Sequence, residues 1–369
     1  SMKIKRIFKW GFLSILLALI VWFQIAYWSS SNNCEQLGKT QGDTMKAIVY
    51  CEYGTSEVLK LMDIAKPVPN DNQVLVRVRA ASVNPYDWHF VRGTPYIMRL
   101  GVGLRKPKDT RLGVDFAGIV EGVGKNVTEF KPGDEVWGGK GGAFAQYVVI
   151  SEKALAKKPD NISFEQAGSI DIAGMTALQG LRKYGNIQPG QKVLINGASG
   201  GVGTFAVQIA KALGAHVTGV CSGRNVEMVK ALGADEVIDY TKEDFAKRPE
   251  RYDLFLDNVP NHPLSECRAV LTPTGKYVMI GGGGPNDGQW IGPFGRVIQM
   301  VIQKRFQKAP VTMMMAETDK ADMNFLSELM QSGKVKPVID KTYQLGEVPA
   351  AISYVEKGHA RGKVAIIVD

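Results

Sequence analysis

"INGASGGVGTFAVQIAKALGAHVTGVCSGRN", from Ile195 to Asn225, decides the fold. The run KVLIN that leads into it reads as a buried strand, the glycines as a tight turn, the stretch to Leu213 as a helix and HVTGVCS as a second strand. Gly197, Gly200 and Gly203 are spaced G-x-x-G-x-x-G within that unit. Glycine permits the tight turn and lets backbone amides approach a pyrophosphate, and the helix N-terminus adds unpaired N–H donors. The unit is therefore expected to bind a dinucleotide through Gly197, Ser199, Gly200, Gly201, Val202 and Gly203.

An NAD site usually carries an acid about 20 residues further on, at the end of the second strand. CSGRN stands there instead, with no carboxylate to repel a 2′-phosphate. Ser222 can donate a hydrogen bond, and Arg224 can pair with a phosphate in bidentate fashion. The missing acid selects NADPH over NADH. A solvated surface role is the plain alternative for Arg224.

Outward from this unit strands and helices keep alternating. VEMVKALGA reads as a helix, EVIDY and YDLFLDNV as strands, the stretch near Leu264 to Leu271 as a helix and GKYVMIGG as a strand. That alternation predicts a parallel sheet with helices on both faces. From Met45 the short β-rich runs MKAIVY, QVLVRVRAASV, FAGIVEGVG, DEVWGG and AFAQYVVI, split by Gly, Pro and Asn, predict a compact β domain. The tail from Met323 returns to strands and amphipathic helices.

The 369 residues suffice for two domains with their own cores. The net charge of +9 includes a cluster at Lys3, Lys5, Arg6 and Lys9. There is no basic repeat interleaved with aromatics, which argues against nucleic acid as a partner. Cys34, Cys51, Cys221 and Cys267 are scattered and form no C-x-x-C pair. This argues against a disulfide framework and excludes a cysteine-rich zinc site.

Trp10 to Trp28 carries no charge and at about 1.5 Å per residue reaches about 28 Å, close to a bilayer's hydrocarbon core. A retained single-pass membrane anchor over residues 1–28 is expected. A cleaved signal peptide is the rival reading, opposed by the bulky AYW end, which offers no small-residue cleavage site. Residues 29–44 read as a flexible linker. The basic residues before the span would put the body outside the cytoplasm. The supply of NADPH favours the cytosolic side, so sidedness stays open.

The body, Met45 to Asp369, resembles the zinc-free quinone oxidoreductase branch of the medium-chain dehydrogenase/reductase superfamily. The resemblance rests on MKAIVYCEYG, RAASVNPYDW, LGVDFAGIVEGVG, FKPGDEVWG, AGMTALQGL, the long glycine-turn segment from Gln188 to Ala215, GADEVIDY and GKV. It implies an α/β architecture. A GroES-like β-barrel catalytic domain over 45–167, completed by 317–369, would accompany a doubly wound Rossmann domain over 168–316. The cleft between them would hold the site, and a homodimer is implied too.

In zinc alcohol dehydrogenases a catalytic Cys lies in the segment matching SVNPYD, and Gly-His-Glu matches Gly113-Val114-Asp115. Here Asn84 and Pro85 stand in the first segment, and neither holds a His or Cys ligand. No metal is expected, and His89 reads as a packing or rim residue. The resemblance places Asn84 and Asp87 at the nicotinamide end. Asn84 would contact the acceptor or the cofactor ribose, and Asp87 would orient it; an ordinary Asn-Pro turn is the alternative. Tyr86 is a candidate proton donor or ring contact. By the same resemblance Thr176 lies near the carboxamide and Lys230 and Tyr240 flank the adenosine phosphate. Gly281 and Gly282 would let backbone approach the nicotinamide, and Lys363 matches a family lysine near the cofactor.

Zinc would polarise a plain carbonyl. Quinones and α,β-unsaturated carbonyls are already electrophilic and accept hydride if donors meet the developing oxyanion. The expected activity is hydride transfer from NADPH to such an acceptor. An enoyl thioester reductase and a non-catalytic NADPH-binding membrane adaptor are the rivals. The apolar stretch from Trp290 to Phe306 reads either as an interface or core helix or as a membrane-touching surface.

Overall fold

The computed structural model describes residues 2–39, 42–281 and 311–369, with Trp290, Gly292, Gly295 and Ile298 between them, and side chains from Leu13 onward. The first helix, α1 (Met2–Trp28), leaves Leu17, Trp22, Ile25 and Trp28 exposed. Among the described residues no helix is long and apolar enough to cross a membrane. The single-pass anchor expected over residues 1–28 is therefore not supported.

The segment after α1 corrects two further expectations. Cys34 is bonded to Cys51 in a disulfide. The expected flexible linker over 29–44 is docked where it is described. Asn32 donates to the Cys51 carbonyl at 2.9 Å, the Thr110 hydroxyl donates to Asn33 Oδ1 at 3.1 Å, and Leu37 packs against a cluster that holds Met45 and Ile64. Sequence separation hid this pairing, because the first strand carries Cys51 back beside Cys34.

That strand, β1 (Thr44–Val49), pairs antiparallel with β2 (Lys60–Ala65). The long β3 (Gln73–Val83) then leads into α2 (Pro85–Arg92), followed by β4 (Asp115–Val123), β5 (Glu135–Gly139), β6 (Tyr147–Ser151) and β7 (Leu155–Lys157). Then comes α3 (Asp171–Gln179), which leads to the parallel part: β8 (Lys192–Asn196), α4 (Gly201–Ala212), β9 (His216–Cys221), α5 (Val226–Ala231), β10 (Glu236–Asp239), β11 (Tyr252–Asp257), α6 (Leu264–Ala269), β12 (Leu271–Met279) and β13 (Val311–Met313). The chain closes with α7 (Lys320–Gln331), β14 (Ile339–Gln344), α8 (Val348–Glu356) and β15 (Lys363–Ile367).

Six strands in the order β10-β9-β8-β11-β12-β13 form a wholly parallel sheet. Its strands are apolar almost throughout, as β8 shows with Val193, Leu194 and Ile195 buried, because helices cover both faces. A second sheet runs β14-β15-β3-β4-β5-β7, with β6 also on β3. The antiparallel pairing of β15 with β3 sets Val364 opposite Val83. The end of the chain is thereby fixed beside the strand that opens into Asn84. Each sheet has its own apolar core, one around Phe205, Ile195 and Leu256, the other around Phe116, Val76 and Ile366.

Candidate active site

Gly197, at the end of β8, has φ +73°, a backbone conformation that favours glycine, and a Cβ there would meet Val259 Cγ2 at 2.8 Å. At Gly203 a Cβ would lie 2.1 Å from the Gly197 carbonyl oxygen, so this glycine is what lets α4 pack onto the turn. Gly200, the cap of α4, is open: its nearest neighbour would be 3.5 Å away. No side chain caps that helix. The first N–H groups of its first turn, Val202 and Gly203 among them, have no intrahelical acceptor. An uncapped 12-residue helix behind open glycine is what a pyrophosphate fits, so the residues present suit a dinucleotide.

The described residues add a support that the sequence reading missed. Asn225 is buried, and its Nδ2 donates to both Ser199 Oγ and Ser222 Oγ at 3.1 Å. It ties the glycine turn to the end of β9. Arg224 is exposed and donates from Nη2 to the His359 carbonyl at 2.8 Å. Asp239, also missed, reaches under Gly223 from β10, where a Cβ on that glycine would lie 2.6 Å from Oδ2. Its charge is turned onto Thr241 and Lys242, and the Thr241 hydroxyl holds its carboxyl below the usual range. Tyr240 is 62% exposed, so its ring is open to a planar partner. Lys230 lies on exposed helix surface, 3.3 Å from Glu227. Thr176 is buried within α3. Gly281 has φ +84° at the end of β12, while Gly282 and most of the stretch from Trp290 to Phe306 lie outside the described residues.

The NPYD segment forms a helix start. Asp87 Oδ2 accepts from the Asn84 backbone N–H at 2.8 Å, and the Asp87 N–H donates to the Asn84 carbonyl at 3.0 Å. Asp87 Oδ1 accepts from Gly113 N at 3.0 Å. Asp87 is buried, and that burial pushes its pKa up to about 7 against the pull of those two donors. Tyr86 is 42% exposed and stacks on Phe90. Burial, with Asp87 and Asp109 nearby, pushes its hydroxyl up to about 12. His89 packs against Trp88 and faces the Thr94 carbonyl at 2.9 Å; burial lowers its pKa. Among the described residues no three His, Cys, Asp or Glu side chains converge in a way that could hold a metal ion.

The Asn84 side chain, released from capping, enters a buried network. Its Nδ2 donates to Asp115 Oδ2 at 3.0 Å, and its Oδ1 accepts from Lys363 Nζ at 2.5 Å. Lys363 Nζ also lies 3.0 Å from Asp115 Oδ2, with both side chains buried. Asp115 and Ser82 carried no signal in the sequence reading beyond the absence of a zinc ligand. The network touches the glycine turn directly: the Gly362 N–H donates to the Ser199 carbonyl at 2.8 Å, and a Cβ on Gly201 would come within 3.2 Å of Lys363 Cδ. Asp171, in the first turn of α3, is held towards its neutral form by burial and by Asp115.

Residues 70–160 match the model of the alcohol dehydrogenase GroES-like domain, and residues 232–366 that of a zinc-binding dehydrogenase domain. The human mitochondrial NAD(P)H oxidoreductase RTN4IP1 is 36% identical over 363 residues, covering 87% of this chain and 89% of that protein. A 2-methylene-furan-3-one reductase of Solanum lycopersicum is 34% identical over 340 residues, covering 87% and 79%. The structure of Escherichia coli quinone oxidoreductase complexed with NADPH matches at a TM-score of 0.75 and 27% identity, covering 87% and 99%. The chain belongs to the medium-chain dehydrogenase/reductase superfamily, in its zinc-free quinone oxidoreductase-like branch. It is an oxidoreductase of the NAD(P)H type, and its cofactor is NADPH.

Proposed function

We propose that this protein transfers a hydride from NADPH to a quinone or an α,β-unsaturated carbonyl, and prefers NADPH to NADH. The observation that carries the reading is the buried Asn84–Asp115–Lys363 network set against the glycine turn. In this reading its fixed hydrogen-bond donors would meet the oxygen that gains charge, and donors of that kind suffice for acceptors that are already electrophilic. The names of the tomato and Escherichia coli proteins point to an enone and a quinone.

When bound, NADPH supplies the hydride. The glycine turn and the N-terminus of α4 hold its pyrophosphate, and Ser222 and Arg224 face its 2′-phosphate. Tyr240 would cover its adenosine end with Lys230 at the edge, and Thr176 and Gly281 would border its nicotinamide end. Asp87 fixes the backbone of Asn84, and Tyr86 offers a hydroxyl at the cleft rim. The balance is one acceptor, one NADPH and one proton to the reduced acceptor and NADP⁺. A homodimer belongs to the same reading.

NADPH oxidation by the purified chain, followed against a short quinone, an alkyl enal, an enoyl thioester and a saturated ketone, tests it. Turnover on quinone or enal with NADPH well ahead of NADH is expected. Turnover on the thioester alone points to an enoyl thioester reductase. Cofactor binding without any turnover points to an adaptor.

A further inference from the structure

We infer that Asp115 is a positioning residue that aims two donors, one N–H of Asn84 and one of the Lys363 ammonium, at the acceptor oxygen. The inference rests on the hydride-transfer reading of the site. Its basis is a count of hydrogen bonds.

Asp115 is fully buried, and both its oxygens are engaged. Oδ2 accepts from Ser82 Oγ at 2.7 Å, Asn84 Nδ2 at 3.0 Å and Lys363 Nζ at 3.0 Å. Oδ1 accepts from Ile172 N at 3.0 Å. The carboxylate is thus anchored from β3, α2, α3 and β15 at once. An ammonium can only donate, so its bond to Asn84 fixes which end of that amide is the oxygen. The Asn84 nitrogen must then face Asp115. It has two protons and uses one, and the ammonium has three and uses two. One N–H on each remains without a partner among the described residues.

The network that carries both leftover donors adjoins the glycine turn, because Gly362 is bonded to Ser199 and the Lys363 stem passes Gly201. A buried cation so placed stabilises an oxygen that gains negative charge as the hydride arrives. Asp115 offsets that cation in the resting protein, which is what lets an ammonium stay buried there. By this count Lys363 acts at the acceptor end and not as a phosphate ligand.

The test compares the full chain with Asp115→Asn and Lys363→Met, read three ways. NADPH affinity by fluorescence is expected to stay within about threefold of the parent. Turnover on 1,4-benzoquinone is expected to fall roughly 10- to 100-fold at saturating acceptor. Binding of 4-nitrophenolate to the NADP⁺-loaded chain, which imitates the charged oxygen, is expected to weaken by about tenfold. Asp115→Asn and Lys363→Met combined are expected to cost little more than either alone, because both remove one unit. Unchanged turnover and phenolate affinity in both variants would overturn the inference. So would a loss of NADPH affinity of tenfold or more with turnover kept, which would make Lys363 a phosphate ligand. If the parent chain binds NADPH but reduces no acceptor, the functional reading falls, and phenolate binding still decides the placement of the donors.

Discussion

Arg224, just after β9, and His359, just before β15, are joined by a hydrogen bond from Nη2 to the backbone carbonyl at 2.8 Å. The guanidinium has five donors, and this bond uses one of them. It fixes the fork without neutralising it, since a carbonyl carries no net charge. A 2′-phosphate arriving there meets a pre-placed cation. Arg224→Ala is therefore expected to raise the KM for NADPH roughly 10- to 100-fold, the worth of a charge-assisted pair. The KM for NADH should change by less than about threefold. Steady-state kinetics with both cofactors check this, and an equal effect on both would assign Arg224 to the loop around His359 instead.

The glycine turn separates a packing role from a ligand role within one motif. At Gly203 a Cβ would lie 2.1 Å from the Gly197 oxygen and 2.7 Å from Ala198. Gly203→Ala is expected to cost about 1–3 kcal/mol of stability, as overpacking does. Gly200 has φ −82°, and a Cβ there would meet nothing nearer than 3.5 Å. Gly200→Ala is expected to leave the melting temperature within about 2 °C while weakening NADPH binding by about tenfold, since the methyl occupies the pyrophosphate's approach. Thermal unfolding and cofactor titration on the two variants separate these effects.

What was legible in the sequence and what was not divide along sequence distance. The strand, turn and helix around Gly197 are local, and their periodicity announced the parallel sheet. Asn84 and Asp87 stand out only through the family resemblance of the NPYD motif, since an ordinary Asn-Pro turn reads the same from the residues alone. Asp115 and Lys363 are 248 positions apart and meet only because β15 pairs antiparallel with β3. Nothing in single-sequence spacing announces that register. Asn225 carries a weaker signal than its neighbour Arg224, that of a short polar residue before an apolar run at a helix start. The spacing of Cys34 and Cys51 carries no pairing signal; they meet because the segment after α1 folds back onto the body beside β1.

Asp87 makes stability depend on pH in a stated direction. Its carboxyl rises from the ordinary aspartate value of 3.8 to about 7 in the folded chain, chiefly through burial. An acid raised on folding binds its proton more tightly in the folded state. Its favourable contribution is complete below about pH 4 and is lost as pH rises through about 7. Asp171 is shifted in the same direction and adds to that slope. Urea midpoints between pH 4.5 and 7.5 should therefore fall less steeply for Asp87→Asn than for the parent, although the variant is less stable throughout because one of the two N–H donors from Asn84 and Gly113 loses its acceptor. Equal slopes would mean that Asp87 stays ionised across that window.

The Cys34–Cys51 bond closes a loop of sequence separation 17 and pins the segment after α1 to the body. Chain entropy alone makes a closure of that size worth roughly 3 kcal/mol. The partners of this segment among the described residues are few: Ser30, Asn32, Asn33 and Asp43 make hydrogen bonds to the body, and Leu37 adds apolar contact. Each such bond is worth only about 1 kcal/mol net. Reduction should therefore release residues 29–44 before it unfolds either sheet. Limited proteolysis with and without dithiothreitol checks this: cleavage within 29–44 is expected only in the reduced chain and in Cys34→Ser. NADPH affinity should stay within about twofold, because the glycine turn follows β8, in the separate six-stranded parallel sheet. Protection that survives reduction would show that the hydrogen bonds and Leu37 hold the segment without the disulfide.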